Sequence, residues 1–182
     1  MSATVCFCHG RESGPWGTKI RRLARVAERF GCRVVSCDDR DTQDPKERVA
    51  RLVAASPTLA APLVLVGSSM GGYVAAAASG QLRPVGLFLM APAINLPGYP
   101  ESAPPVVAEH VAIVHGWDDT IVPLANVFVF GRAHRATFHV LADGHLLHSR
   151  LDQVERLFAD FLGVCLGRTR PAAPPRELAA AL

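Results

Sequence analysis

Six short runs rich in Val, Leu, Ile or Phe, separated for most of the chain by stretches with helical periodicity, restrict the choice of fold more than any other feature. They are Thr4–Cys8, Arg33–Cys37, Leu63–Gly67, Val85–Met90, Val111–His115 and Ala136–Leu141. Most lack the in–out polar alternation of a half-exposed strand, which is the pattern of parallel strands covered on both faces. From Lys19 to Phe30, residues Ile20, Leu23, Ala24, Ala27 and Phe30 form one apolar stripe, with Gly31 as its stop. Asp44-Pro45-Lys46-Glu47 reads as an N-cap, a proline at the first helical position and a capping-box glutamate, followed by a core face of Val49, Leu52 and Val53. Met70–Ser79 is apolar all round, so that helix is expected to be central and buried. Pro123–Phe130 opens like a helix but has strand composition from Asn126 onward; a parallel crossover requires a helix there, and helix is the reading. Leu151, Val154, Phe158, Phe161 and Leu162 mark a last helix expected to stop near Gly163. The alternation predicts an α/β fold, a three-layer sandwich with helices on both faces of a predominantly parallel sheet.

The length of 182 residues fits one domain, expected over residues 1–164. A Pro/Ala-rich C-terminal tail is expected over 165–182, most clearly in Arg168–Leu182. With 49% hydrophobic and 19% charged residues the chain can build a packed core. A formal charge of +3 is too small to point to nucleic acid, and no apolar run approaches the ~20 residues of a membrane span. The N-terminus lacks a basic region and a signal-cleavage pattern. The five cysteines (Cys6, Cys8, Cys32, Cys37, Cys165) are odd in number and contain no CxxC, so they read as buried thiols in a reducing cytoplasm. Cys6-x-Cys8 lacks the second half of a metal site, and the Asp38-Asp39 and Asp118-Asp119 pairs have no clustered His or Cys, so neither a metal nor another cofactor is expected.

The chemistry concentrates in Leu63-Val64-Leu65-Val66-Gly67-Ser68-Ser69-Met70-Gly71-Gly72, which carries G-x-S-x-G as Gly67, Ser69 and Gly71. The motif ends a strand and opens a helix, the setting in which a sharp turn pushes the serine hydroxyl out past the strand. The glycines permit that turn and a close helix–strand approach. A serine needs a base to take its proton. In the order serine, acid, histidine, two loops past strand ends supply partners: Asp119 after Val111–His115, and His145 after Ala136–Leu141. Both fall at the sheet edge of Ser69, where parallel α/β sheets place their sites. Ser69, Asp119 and His145 are the candidate triad.

With these pieces in order, His9-Gly10, Gly67-Ser68-Ser69-Met70-Gly71, His115-Gly116-x-x-Asp119-x-x-Val122-Pro123 and Gly144-His145, the sequence resembles the α/β-hydrolase superfamily, in particular its small lidless serine hydrolases. The resemblance spans most of residues 4–162. It implies Asp119 rather than Asp118 as the acid and His145 rather than His148 as the base. It also implies an oxyanion hole from the backbone N–H groups of Met70 and of Arg11, which follows the Gly10 turn. The superfamily's usual first two strands have no counterpart before Thr4, so a six-stranded sheet in the order 2-1-3-4-5-6 is predicted, a minimal α/β-hydrolase fold with no lid. The five-proline loop Ala91–Val107 is expected to shape an acyl pocket.

Ser68 lacks the motif spacing; His9 is read as shaping its turn and His115 as supporting the Asp119 loop. His134, His139 and His148 read as surface or half-buried. The basic positions of the first helix, Lys19, Arg21, Arg22, Arg25 and Arg29, read as a solvated face, with an acidic partner or an anionic substrate as the alternative. Two functions remain open on these residues. One is a serine hydrolase of a small carboxylic ester or thioester, with no nucleic-acid or membrane partner. The other is a non-catalytic protein of the same fold that recruits a partner through the pocket or the basic helix face.

Overall fold

A computed structural model describes residues 2–169; the part of the predicted tail from 170 to 182 lies outside the described residues. Six strands, β1 (Thr4–Cys8), β2 (Arg33–Ser36), β3 (Leu63–Ser68), β4 (Gly86–Met90), β5 (His110–Gly116) and β6 (Thr137–Leu141), form one sheet. Its order is β2-β1-β3-β4-β5-β6 and every pairing is parallel, as predicted. The helices are α1 (Thr18–Arg29), α2 (Pro45–Ala54), α3 (Met70–Leu82), α4 (Leu124–Ala133) and α5 (Leu151–Leu166). The segment of mixed composition after Pro123 is therefore helix.

Each strand serves two cores, which explains its continuous apolar sequence. Val5, Phe7, Val64, Val66, Phe88 and Met90 pack toward α1 and α5. Cys6, Cys8, Leu63, Leu65, Leu87 and Leu89 pack toward α2, α3 and α4. Phe158 of α5 stacks edge-on to Phe88 at 5.1 Å and meets Phe7 at 6.3 Å. Helix α3 is buried over most of its surface, as its composition predicts. All five cysteines are free; the Cys6 and Cys37 sulfurs lie 3.8 Å apart, and Cys37 is the one thiol not fully buried.

Three local expectations are corrected. Helix α5 passes Gly163 and ends at Gly167, which takes the left-handed conformation (φ 58°) while the Arg168 N–H caps the Gly163 carbonyl. Asp44 does cap α2 through the Lys46 N–H, but Glu47 does not reach back to the Asp44 N–H. The Thr42 hydroxyl stands between them, accepting from the Asp44 N–H and donating to Glu47. The core face of α2 is Pro45, Arg48 and Leu52, with Val49 and Val53 only half-buried.

Arg48 is 1% exposed. Its guanidinium donates to the Thr42 carbonyl at 2.9 and 2.7 Å and to the His9 carbonyl at 3.2 Å. It thereby ties the loop before α2 to the loop after β1. The i, i+3, i+7 spacing of Pro45, Arg48 and Leu52 was the available signal. Arg48→Met keeps the bulk but strands these carbonyls; a loss of about 3 kcal/mol in urea unfolding is expected.

Candidate active site

Ser69 lies at the junction of β3 and α3 with φ 53° and ψ −119°, a backbone conformation that side chains rarely adopt. Such strain is of order 1–3 kcal/mol and persists only where the surroundings enforce it. The neighbours do so here. The Ser69 N–H donates to the Met90 carbonyl at 3.0 Å, and the Ser69 carbonyl accepts from Gly72, Tyr73 and Ala93. The close approach also depends on missing side chains. A Cβ on Gly67 would lie 2.3 Å from the Gly71 carbonyl oxygen, and one on Gly71 would lie 2.0 Å from that of Cys8. The first turn of α3 therefore rests directly on the backbone of β1 and β3.

From this turn the Ser69 hydroxyl reaches Nε2 of His145 at 3.0 Å, and Nδ1 of His145 lies 2.8 Å from Oδ2 of Asp119. A carboxylate only accepts, so Nδ1 carries the proton and Nε2 is free to accept from the hydroxyl. The other Asp119 oxygen accepts from the Ile121 and Val122 N–H groups at 2.9 and 2.8 Å. The Asp119 side chain is fully buried and that of His145 is 11% exposed. All three predicted triad residues are thus brought into one hydrogen-bonded chain. Ser68 and Asp118 take no part in it.

The histidines at the strand ends do what their positions suggest. His115, on β5, is fully buried; its Nε2–H donates to the Val122 carbonyl at 3.0 Å and stands 3.3 Å from Oδ2 of Asp119, bracing that loop. Burial lowers its pKa, so it is held neutral at pH 7. His9 accepts the Asp39 N–H on Nε2 at 3.1 Å and donates from Nδ1 to the Gly10 carbonyl at 2.7 Å, fixing the turn before Arg11. His134 and His139 are half-buried away from the serine, and His148 is exposed at the cleft rim.

The loop after β1 and the elbow face each other across a cleft, as the strand order requires. A Cβ on Gly10 would stand 3.5 Å from that of Ser69. Among the described residues, neither the Met70 nor the Arg11 N–H is taken by an internal hydrogen bond. Ser69, His145, Gly10 and Arg11 line a cavity of about 650 Å³ whose apolar wall comes from Ala93, Leu96, Pro97 and Tyr99 of the Ala91–Val107 loop and from Ile121 and Leu146. Among the described residues no cluster of three or more His, Cys, Asp or Glu is placed to hold a metal, and no helix is long and apolar enough to cross a membrane. Of the basic positions of α1, Arg22 pairs with Asp152 and Glu155 on α5. Lys19 departs from the predicted solvated face and lines the cleft.

No protein-family model and no curated protein matches the chain. Among solved structures, it is similar to the ydeN gene product from B. subtilis, with 17% identity over 89% of this chain and 100% of that one and a TM-score of 0.76. It is also similar to XC6422 from Xanthomonas campestris, a member of the α/β serine hydrolases without lid, with 20% identity over 94% and 84% of the two chains and a TM-score of 0.66. These two likenesses concern the fold. A protein from Xanthomonas campestris pv. campestris assigned to hydrolases of the alpha/beta superfamily is nearer, with 34% identity over 90% of this chain and 99% of that one and a TM-score of 0.82. With that identity spread over nearly the whole of both chains, this chain belongs to the alpha/beta hydrolase superfamily.

Proposed function

We propose that the protein is a serine hydrolase that cleaves small carboxylic esters or thioesters through an acyl-enzyme intermediate. The observation that carries this reading is the continuous contact from Ser69 Oγ through His145 to the buried Asp119 carboxylate, opening into an apolar cleft.

In this reading the Ser69 oxygen attacks the ester carbonyl as its proton passes to Nε2 of His145. Asp119 holds the imidazole in the required tautomer and stabilises the imidazolium. Negative charge developing on the carbonyl oxygen is met by the Met70 and Arg11 N–H groups, the former at the start of α3, where the helix dipole adds to the effect. His145 then returns its proton to the departing alcohol or thiol. A water molecule repeats the sequence on the acyl-serine, releasing the acid and restoring the hydroxyl. The walls contributed by Leu96, Pro97 and Tyr99 would receive the acyl chain.

The test is covalent labelling by a fluorophosphonate, which reacts with activated serines. Wild-type protein should label at Ser69, and both Ser69→Ala and His145→Ala should lose the label. Folded wild-type protein that neither labels nor hydrolyses short p-nitrophenyl esters would instead favour a binding protein of this fold.

A further inference from the structure

Lys19 is the one basic position of the α1 series that lies in the cleft. It is half-buried at the start of α1, and it lines the same cavity as Ser69 and His145. Among the described residues no carboxylate lies within 4.0 Å of its ammonium, and no hydrogen bond takes it up. The two acids whose fields reach it are committed elsewhere. Asp119 accepts from His145, Ile121 and Val122, and Asp143 accepts from the Gly144 and Arg150 N–H groups. Arg11 adds a second cation at the rim, against the single carboxylate of Glu12 among the cleft residues. An ammonium partly withdrawn from water beside apolar walls gains most from an opposite charge brought to it. Its withdrawal is felt in its titration, since burial lowers the Lys19 pKa to about 8, against the opposing pull of Asp119 and Asp143. Perturbed groups facing a cleft mark sites of function more often than surface decoration.

We propose that the cleft takes an ester or thioester that carries a carboxylate, with that carboxylate paired to the Lys19 ammonium while the scissile carbonyl lies against Ser69. The inference rests on the serine-hydrolase reading and narrows it from esters at large to anionic ones. A single unit charge on a compact head suits a monoanion, and Lys19 is on the rigid first turn of a helix rather than on a loop. The apolar wall then receives the methylene chain between the two functional groups. A cavity of about 650 Å³ accommodates such a bifunctional molecule.

The experiment compares wild type, Lys19→Met and Arg25→Met on two substrate pairs. Arg25 is an exposed position of the same helix and controls for loss of a positive charge. One pair places the carboxylate on the acyl side, p-nitrophenyl glutarate against p-nitrophenyl valerate. The other places it on the leaving group, 4-carboxyphenyl butyrate against phenyl butyrate. The readout is the ratio of kcat/KM for the anionic to the neutral member, in which intrinsic reactivity cancels between variants. Lys19→Met is expected to lower that ratio about tenfold or more in at least one pair, with Arg25→Met leaving it within twofold of wild type. A fall of less than threefold in both pairs, or an equal fall in Arg25→Met, overturns the proposal.

Binding separates this outcome from failure of the hydrolase reading. Calorimetric titration of Ser69→Ala and of Ser69→Ala/Lys19→Met with the same four esters needs no turnover. A carboxylate preference of about tenfold that disappears in the double variant supports the anion subsite even if no ester is hydrolysed. Equal binding of both members of each pair by Ser69→Ala overturns it.

Discussion

Ser69→Ala is expected to reduce kcat for p-nitrophenyl ester hydrolysis on the order of 10⁶-fold, and Asp119→Asn roughly 10⁴-fold, with little change in the unfolding midpoint. The two magnitudes differ for a geometric reason. In the proposed mechanism, removing the hydroxyl eliminates the covalent route, leaving only what the cleft and the two N–H groups would do for attack by water. Replacing Asp119 by Asn leaves the proposed nucleophile, Ser69, and the proposed base, His145, in place. Its amide NH₂ cannot accept from Nδ1 of His145, so the imidazole is driven toward the tautomer that presents a proton, not a lone pair, to Ser69. The Ile121 and Val122 N–H groups can still bond to the amide oxygen, so the loop should hold its shape. The Ser69→Ala/His145→Ala double variant should be no slower than Ser69→Ala, because the base has no function without its proton donor. Steady-state assays with circular dichroism as a folding control decide the matter; a double variant slower by the product of the two single effects would contradict a shared catalytic unit.

The second large effect is on stability. Gly71→Ala should lower unfolding stability by roughly 4 kcal/mol or more, enough to depress Tm by about 10 °C or to prevent accumulation of soluble protein. The new methyl would lie 2.0 Å from the carbonyl oxygen of Cys8 and 2.7 Å from that of His9. Both are backbone atoms, on a strand paired on each side or in the turn just after it, so neither can swing away as a side chain would. Gly80→Ala, in the same helix, is the natural contrast. Nothing lies within 4 Å of that methyl, and the change should leave stability unchanged or raise it by up to about 1 kcal/mol. Calorimetric melting of the two variants separates a clash from a general effect of losing glycine.

The strands were readable because a strand buried on both faces has nothing polar to hide its pattern, as in Leu63-Val64-Leu65-Val66. The meeting of Ser69, Asp119 and His145 was readable because a parallel sheet sends all its strand ends to one edge. What escaped the sequence depends on contacts made across the fold. Arg48 reads as a polar helix position, and only the carbonyls arriving from the His9 and Thr42 loops make it a buried one. Lys19 reads as one of a row of solvated basic residues until the position of α1 beside the cleft withdraws it from that row. Gly163 reads as a helix stop, yet the stop is Gly167, because the chain turns there to bring Arg168 back over Gly163.

The serine–histidine contact joins residues 76 positions apart, and the histidine–aspartate contact joins residues 26 apart. β3 and β6 lie three places apart in the sheet and meet only through β4 and β5. Closing such long segments is entropically expensive and kinetically late. No hairpin, single crossover or N-terminal half of the chain contains all three residues. On the proposed reading, labelling of Ser69 in the refolding chain therefore waits until β3, β4, β5 and β6 are all joined, and its onset reports assembly of that half of the sheet rather than of any one pair of strands.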